Sequence, residues 1–379
     1  MHSVLLLGAG KIGRMIAKFL SACGDYRVTV ADTDPKALTR LGQQSDVTTR
    51  EIDADSHAAL ASAMAECDTV VSALSYRFNP GVARAAAETG TNYFDLTEDV
   101  ETTRQVRSVA TEAPAGTVFM PQCGLAPGFI SIVARHLTDQ FDSIESVHMR
   151  VGALPQFPTN AIKYNLTWST DGLINEYCNL CEAIHDGRRI EVLPLEGLEH
   201  FSLDGVRYEA FNTSGGLGTL CETLDGRVRE LNYKTIRYLG HRDLTAFLVN
   251  DLQLGRRRDV LKDLLETAIP ITFQDVVVIF CTVTGHRNGH LVQQSDARKV
   301  YQQTIDGEPW SAIQLTTAAG ICTVIDLQRE GKLPDGPFLR QEDVPLATFL
   351  DNRFGQYYQS QTSTRFANEM SDLTGASDD

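Results

Sequence analysis

The sequence is short of three things, and each shortage excludes a class of function. It has no apolar run approaching the roughly 20 residues that cross a bilayer. It is poor in positive charge: 34 lysines and arginines stand against 49 aspartates and glutamates, a formal net charge of −15. So acidic a chain repels phosphate backbones and anionic lipid, and neither nucleic acid nor a membrane is expected as its partner. Cysteine is thin as well, with eight scattered over 379 residues, which suits a reducing compartment. Cys178 and Cys181 form a single C-x-x-C in a stretch that reads as helix, and no second pair completes a zinc site. His241, His286 and His290 share no regular spacing and read as turn or cap histidines, so no metal is expected. Met1 leads straight into a strand without a basic segment or cleavage site, which points to a cytoplasmic protein.

What is present is an ordinary globular composition, 42% hydrophobic, long enough for two domains. The first 120 residues alternate short apolar strands ("SVLLLG", "YRVTVAD", "DTVVSAL", "TNYFDLT") with helical patterns, some opened by a capping residue before proline, as at Asp34 and Asn79. That rhythm predicts a doubly wound α/β domain with a parallel sheet. After Gly124 the strands lengthen and alternate in face ("SIESVHMRVGAL", "RVRELNYKTIRYL", "DVVVIFCTVTG"), with Asn288-Gly289 as a hairpin turn. An α+β domain with a large, mainly antiparallel sheet is expected there. A mostly apolar helix, "PWSAIQLTTAAGICTVIDLQREG", is placed to pack back on the first domain. The expected division is 1–124, 125–309, 310–358 and a polar tail, 359–379. There is no internal repeat.

Gly8-Ala9-Gly10-Lys11-Ile12-Gly13 fits G-x-G-x-x-G between a strand and a helix, and Asp32 ends the next strand about 20 residues on. Gly8 serves the tight turn, Gly10 the approach of a pyrophosphate, and Gly13 the packing of helix on strand. This is a Rossmann-type dinucleotide site. A carboxylate at Asp32 accepts from ribose hydroxyls and repels a 2′-phosphate, and no Arg or Lys immediately follows it, so NAD is preferred to NADP. Asp53 and Ser72-Ala73-Leu74 occupy the adenine and nicotinamide edges of such a sheet, with helix capping as the plainer role for Asp53.

Substrate chemistry is sought in the loops at the carboxyl ends of the strands. "ALSYRFN", the "DL" of "NYFDLT", "GLAPG", "WSTDGLINEY", "EAFNTSGG" and "YKTIRYLGH", in this order, resemble the saccharopine dehydrogenase family and look most like its lysine 6-dehydrogenase branch. The resemblance covers nearly the whole chain. It implies a homodimeric oxidoreductase acting at a carbon–nitrogen bond of an amine-bearing amino acid. The first domain would bind the nucleotide, the middle sheet would form substrate lid and dimer surface, and the last helices would return to the first domain. In the lysine branch, hydride leaves the carbon bearing the ε-amine, and the imine hydrolyses to a semialdehyde and ammonia. In saccharopine dehydrogenases glutamate takes the place of ammonia, and the larger dicarboxylic arm needs a second cation, for which Arg77, Lys163 and Lys234 are available. One departure is "FDLTEDVE", where the lysine branch more often has glycines: Glu98 and Asp99 add negative charge near the amine end. A non-catalytic NAD(H)-binding sensor is the alternative of another class.

The residues then take roles. Arg237 is the first choice for a substrate carboxylate, because a guanidinium offers two parallel hydrogen bonds, and Lys234 is second. On an alternating strand, an orientation of both toward solvent has equal weight. Hydride leaves only from a neutral amine, so a nearby group takes a proton first. Asp95 is the candidate to orient the ammonium or relay that proton, with an N-cap as the alternative, and Tyr76 is a candidate phenol donor. Thr213 and Ser214 are candidates for a carboxylate cradle, and Cys123 is one for contact with nicotinamide or substrate, although nothing basic adjoins it.

Overall fold

A computed structural model describes residues 1–44 and 46–359; the predicted polar tail lies almost wholly outside the described residues. The first sheet holds β1 (His2–Leu7), β2 (Tyr26–Asp32), β3 (Thr48–Glu51), β4 (Thr69–Ser72), β5 (Asn92–Asp95) and β6 (Phe119–Met120). All pairs are parallel and the order is β3-β2-β1-β4-β5-β6, the doubly wound order with its switch point between β1 and β4. The crossovers carry α1 (Lys11–Ala22), α2 (Pro35–Gln44), α3 (His57–Met64), α4 (Asn79–Thr89) and α5 (Val100–Ala110). Asn79 does not cap α4 with its side chain. Its Oδ1 accepts from the Ser72 hydroxyl at 2.7 Å, which ties the helix to the end of β4.

The second sheet is built from β7 (Ser143–Pro155), β8 (Cys181–His185), β9 (Arg188–Val192), β10 (Glu199–Leu203), β11 (Val206–Asn212), β12 (Val228–Tyr238), β13 (Asp275–Arg287) and β14 (His290–Tyr301). Its main path is β10-β11-β12-β7-β13-β14, antiparallel except for the parallel β7–β12 pair at the centre. Asn288 and Gly289 turn β13 into β14 with φ of 53° and 76°, the primed geometry a two-residue hairpin needs. The C-x-x-C does not lie within a helix: Cys178 ends a helix and Cys181 opens β8.

The helices of this half are α6 (Phe129–Thr138), α7 (Thr170–Cys178), α8 (Leu220–Thr223), α9 (His241–Ala246), α10 (Arg258–Ala268), α11 (Ala312–Arg329) and α12 (Leu346–Asp351). α11 is buried along most of its length, and it joins the two sheets. One apolar cluster runs from Met15 and Ile16 of α1 through Ile321 and Ile325 to Ile279 and Cys281 of β13. So buried a helix must satisfy its ends: Ser311 and Gln314 form a capping box, and both Asp275 carboxylate oxygens accept from the first N–H groups. At the other end Asp326 accepts from Tyr26 of β2 at 2.7 Å and from Arg353. The first domain and the last helices are thus held as one unit, and the cleft between the sheets has a rigid floor. No described helix is long and apolar enough to cross a membrane, and no described group of three or more His, Cys, Asp or Glu is placed to hold a metal.

Candidate active site

The glycine turn has the geometry a dinucleotide requires. Gly8 adopts φ 107°, open to glycine, and a Cβ on Gly13 would stand 1.9 Å from the Gly8 carbonyl oxygen. A Cβ on Gly10, by contrast, would meet nothing within 4 Å. The open side of Gly10 and the start of α1 therefore form a cradle that a pyrophosphate fits, at the positive end of the helix dipole. Asp32 Oδ2 accepts from Ala9 N at 2.7 Å and Oδ1 from Asp34 N at 2.9 Å, so the carboxylate braces the turn while each oxygen keeps a lone pair for a ribose hydroxyl. Asp53 is exposed and closes a local turn onto Asp55 N at 2.9 Å.

A cleft of about 310 Å³ opens between the sheets. The first domain lines it with Ile12, Ala73, Leu74 and Tyr76, the second with Trp168, Ser214, Tyr233 and Arg237, and α11 with Ile313 and Thr317. Gly124 to Pro127 cross its base, with a cis bond between Ala126 and Pro127.

Arg237 is 2% exposed and held on every side. Its Nε donates to the Tyr177 hydroxyl at 3.0 Å, and one terminal nitrogen donates to Ile236 O at 2.9 Å. The other lies 3.7 Å from Glu176 Oε2. The guanidinium sits over the Tyr164 ring, 4.9 Å from its centroid. Tyr177 in turn contacts His241 Nε2 at 2.9 Å, and His241 Nδ1 lies 2.8 Å from Ile162 O. A carbonyl only accepts, so Nδ1 carries the proton and Nε2 accepts from the phenol. Burial, aided by Arg237, pushes His241 down to about 3, which keeps that ring neutral.

Two buried carboxylates, Glu98 and Glu176, line the same cleft. Burial pushes Glu98 above the usual carboxylate range, even with Asn175 hydrogen-bonded to it. Burial also lifts Glu176, to about 7, against the pull of Arg237 and with a push from Glu98. One guanidinium and two carboxylates beside a nucleotide cradle have the charges to meet a carboxylate and an amine.

Residues 4–120 match the saccharopine dehydrogenase NADP binding domain, and residues 124–350 the saccharopine dehydrogenase C-terminal domain. The chain belongs to the saccharopine dehydrogenase family. It is an oxidoreductase of that family, and it binds a pyridine nucleotide. Among its relatives is the saccharopine dehydrogenase [NADP(+), L-glutamate-forming] of Saccharomyces cerevisiae, 28% identical over 320 residues, which are 81% of this chain and 69% of that one. The mitochondrial alpha-aminoadipic semialdehyde synthase of Rattus norvegicus is 22% identical over half of this chain but only 21% of its own length. In fold, the chain superposes on apo saccharopine dehydrogenase (L-Glu forming) of S. cerevisiae with a TM-score of 0.79 at 19% identity, covering 94% of this chain and 98% of that one. It superposes on the NAD complex of the Legionella pneumophila homospermidine synthase with a TM-score of 0.67 at 13% identity, covering 95% and 90%.

Several residues expected in the site of this family member lie elsewhere. Asp95 does not face the cleft: it is wholly buried, and its carboxylate accepts from the Tyr93 hydroxyl at 2.6 Å, Thr97 N at 2.9 Å and Gln122 N at 3.0 Å. It knits the ends of β5 and β6 together under the cleft, and Asp99, not Asp95, caps α5. Cys123 is likewise sealed, donating to Met120 O at 2.9 Å and contacted by Gln341, and burial raises its thiol well above the ordinary range. Lys234 is on the wrong face of β12. Tyr233, Thr235 and Arg237 line the cleft, so strand alternation turns Lys234 away, to Glu199 at 3.1 Å. Thr213 spends its hydroxyl on Thr235 at 2.7 Å, and Ser214 lines the cleft but donates to Asn175 O at 2.9 Å. Ser72 is buried, and Lys11 is exposed with its carbonyl accepting from Gln314. His241 is buried behind Arg237 and is no surface cap.

The sequence reading missed Glu176, Tyr177 and Asn175, although "WSTDGLINEY" contains all three. Asp171, Asn175 and Glu176 recur at helical spacing opposite Leu173, Ile174 and Tyr177, which marks a polar face. Nothing in the sequence distinguishes a polar face turned to water from one turned to a substrate.

Proposed function

We propose that this protein is an NAD-dependent dehydrogenase that oxidises a diamino monocarboxylic acid, L-lysine at its ε-carbon, releasing ammonia. The observation that carries the reading is the charge inventory of the cleft. Among the described residues that line it, Arg237 is the sole cation, against Glu98, Asp171 and Glu176. One guanidinium matches one carboxylate, and with Asp171 paired to Lys262, Glu98 and Glu176 are the carboxylates that match an amine. Saccharopine brings three carboxylates, and the extra cations it calls for lie outside the cleft: Arg77 is exposed, Lys163 binds Leu239 O, and Lys234 is paired with Glu199. Saccharopine stays the second reading because the relatives above carry that name.

In this reading residues 1–124 hold the nucleotide, 125–309 hold substrate and 310–358 close the first domain from behind. Asp32, with Asp34 two residues on, supports NAD over NADP, since a 2′-phosphate would meet two carboxylates there. Tyr76 and Arg237 touch the amino acid, and assembly as a homodimer follows the family resemblance; light scattering of the purified protein checks it. The deciding assay follows nicotinamide absorbance with NAD and NADP against L-lysine, saccharopine and simple diamines. Reduction of NAD by lysine with ammonia release is the expected result. Turnover with saccharopine alone would transfer the site to the second reading.

A further inference from the structure

Three carboxylates line the cleft, and two of them are committed. Asp171 is exposed and pairs with Lys262 Nζ at 2.7 Å, and Glu98 is hydrogen-bonded by Asn175. Glu176 is different. Its Oε2 is buried and has no hydrogen-bond partner from the protein, although the side chain keeps 13% exposure and lines the cleft. The nearest cation, Arg237 at 3.7 Å, is beyond hydrogen-bonding reach. A buried acceptor left unpaired by the protein costs stability, and Glu176, unlike the similarly unpaired Glu342, lines the cleft from which a partner can reach it.

We propose that Glu176 is the base that takes the proton from the substrate's ammonium group. The inference rests on the amine-dehydrogenase reading above and deepens it. Glu176 carboxylate and R–CH₂–NH₃⁺ become the carboxylic acid and R–CH₂–NH₂. The nitrogen lone pair then forms the C=N bond as the C–H electron pair leaves for the oxidised nicotinamide nucleotide, giving R–CH=NH₂⁺. The acid returns its proton to water through the cleft. Low polarity helps the first step, because proton transfer within the pair replaces two buried charges by two neutral groups.

The groups that face Glu176 set its titration. Arg237 and Tyr233 come from β12, Glu98 from the loop after β5 and Tyr164 from the segment before α7. Tyr177 shares its helix, and Cys181 opens β8. Arg237 alone among them favours the carboxylate, while burial and Glu98 oppose it. Glu176 is therefore half-protonated near neutral pH, where a base is most effective.

The test uses the full chain, its Glu176→Gln variant and its Glu98→Gln variant. Calorimetry of L-lysine binding to the NADH-loaded protein, in two buffers of different ionisation enthalpy, counts protons without turnover. The wild type is expected to release close to one proton at about pH 6 and close to none at about pH 8.5, and Glu176→Gln none at either. In kcat/KM the acid limb near neutrality should vanish in Glu176→Gln, with a loss of about 10²- to 10⁴-fold. Glu98→Gln should move that limb to lower pH, because a like charge is removed. This second variant decides the matter if Glu176→Gln does not fold. A Glu176→Gln protein that keeps limb and proton release, or a Glu98→Gln protein that loses them instead, overturns the inference. A wild type that binds L-lysine with this proton count but oxidises no amine would refute the dehydrogenase reading and leave the titration of Glu176 standing.

Discussion

Replacing Tyr177 by Phe removes one oxygen atom from a residue 4% exposed, and its cost can be worked from its two contacts. The hydroxyl accepts from Arg237 Nε at 3.0 Å and donates to His241 Nε2 at 2.9 Å. The ring stays, so packing against Phe211 and His241 is kept. What is lost is satisfaction of two buried polar groups, one of them charged, at about 1–3 kcal/mol each. The variant should therefore unfold about 2–6 kcal/mol more easily in urea. The same change frees the guanidinium at Nε and leaves its terminal nitrogen on Ile236 O as the remaining hydrogen bond. Loss of that positioning should raise KM for the amino acid by about tenfold, which is about 1.4 kcal/mol, and leave KM for the nucleotide unchanged. A stability loss below about 1 kcal/mol together with an unchanged amino-acid KM would refute the reasoning, since Arg237 would then not depend on Tyr177.

Other changes separate the roles of neighbouring residues. Arg237→Ala should raise KM for the amino acid by about 30- to 1,000-fold, the worth of a charged bidentate contact, with little effect on KM for the nucleotide; equal effects on both would put Arg237 outside the substrate site. Asp32→Arg combined with Asp34→Ala should raise the kcat/KM ratio of NADP to NAD by about tenfold or more, and an unmoved ratio removes Asp32 from ribose selection. Asp95→Asn should lower stability by about 2–4 kcal/mol through its Tyr93, Thr97 and Gln122 contacts, while the folded fraction keeps its turnover; a stable but inactive variant would return Asp95 to the chemistry. His241 is held down to about 3 from an ordinary value of 6.5, so between those values the unfolded chain binds a proton that the folded one does not. Stability should rise with pH across that window by about 1.4 kcal/mol per unit from this group and level off above it, and His241→Asn should remove that slope. An unaltered profile in urea titrations at several pH values would show that His241 is not what sets it.

The sequence by itself determined the sheet-helix rhythm, the glycine turn with Asp32, the Asn288-Gly289 hairpin and the apolar helix that became α11. These are local: a period of two or 3.6, a glycine at a positive φ, a carboxylate at a strand end. In the structure Arg237 and Lys234, three residues apart on one strand, lie on opposite faces. Which of them meets the cleft was decided only by the fold, because alternation says nothing of which side another layer covers. Asp95 shows the same division, since a carboxylate after a central strand is visible in sequence. That it would be closed off by Tyr93 and by the backbone of Gln122, 27 residues on, depends on how β5 and β6 end side by side. Glu176 became legible last of all. Its titration is lifted to about 7 by the loss of water and by Glu98 of the β5–α5 loop, against Arg237 of β12, brought to one helix face through contacts that no local pattern encodes.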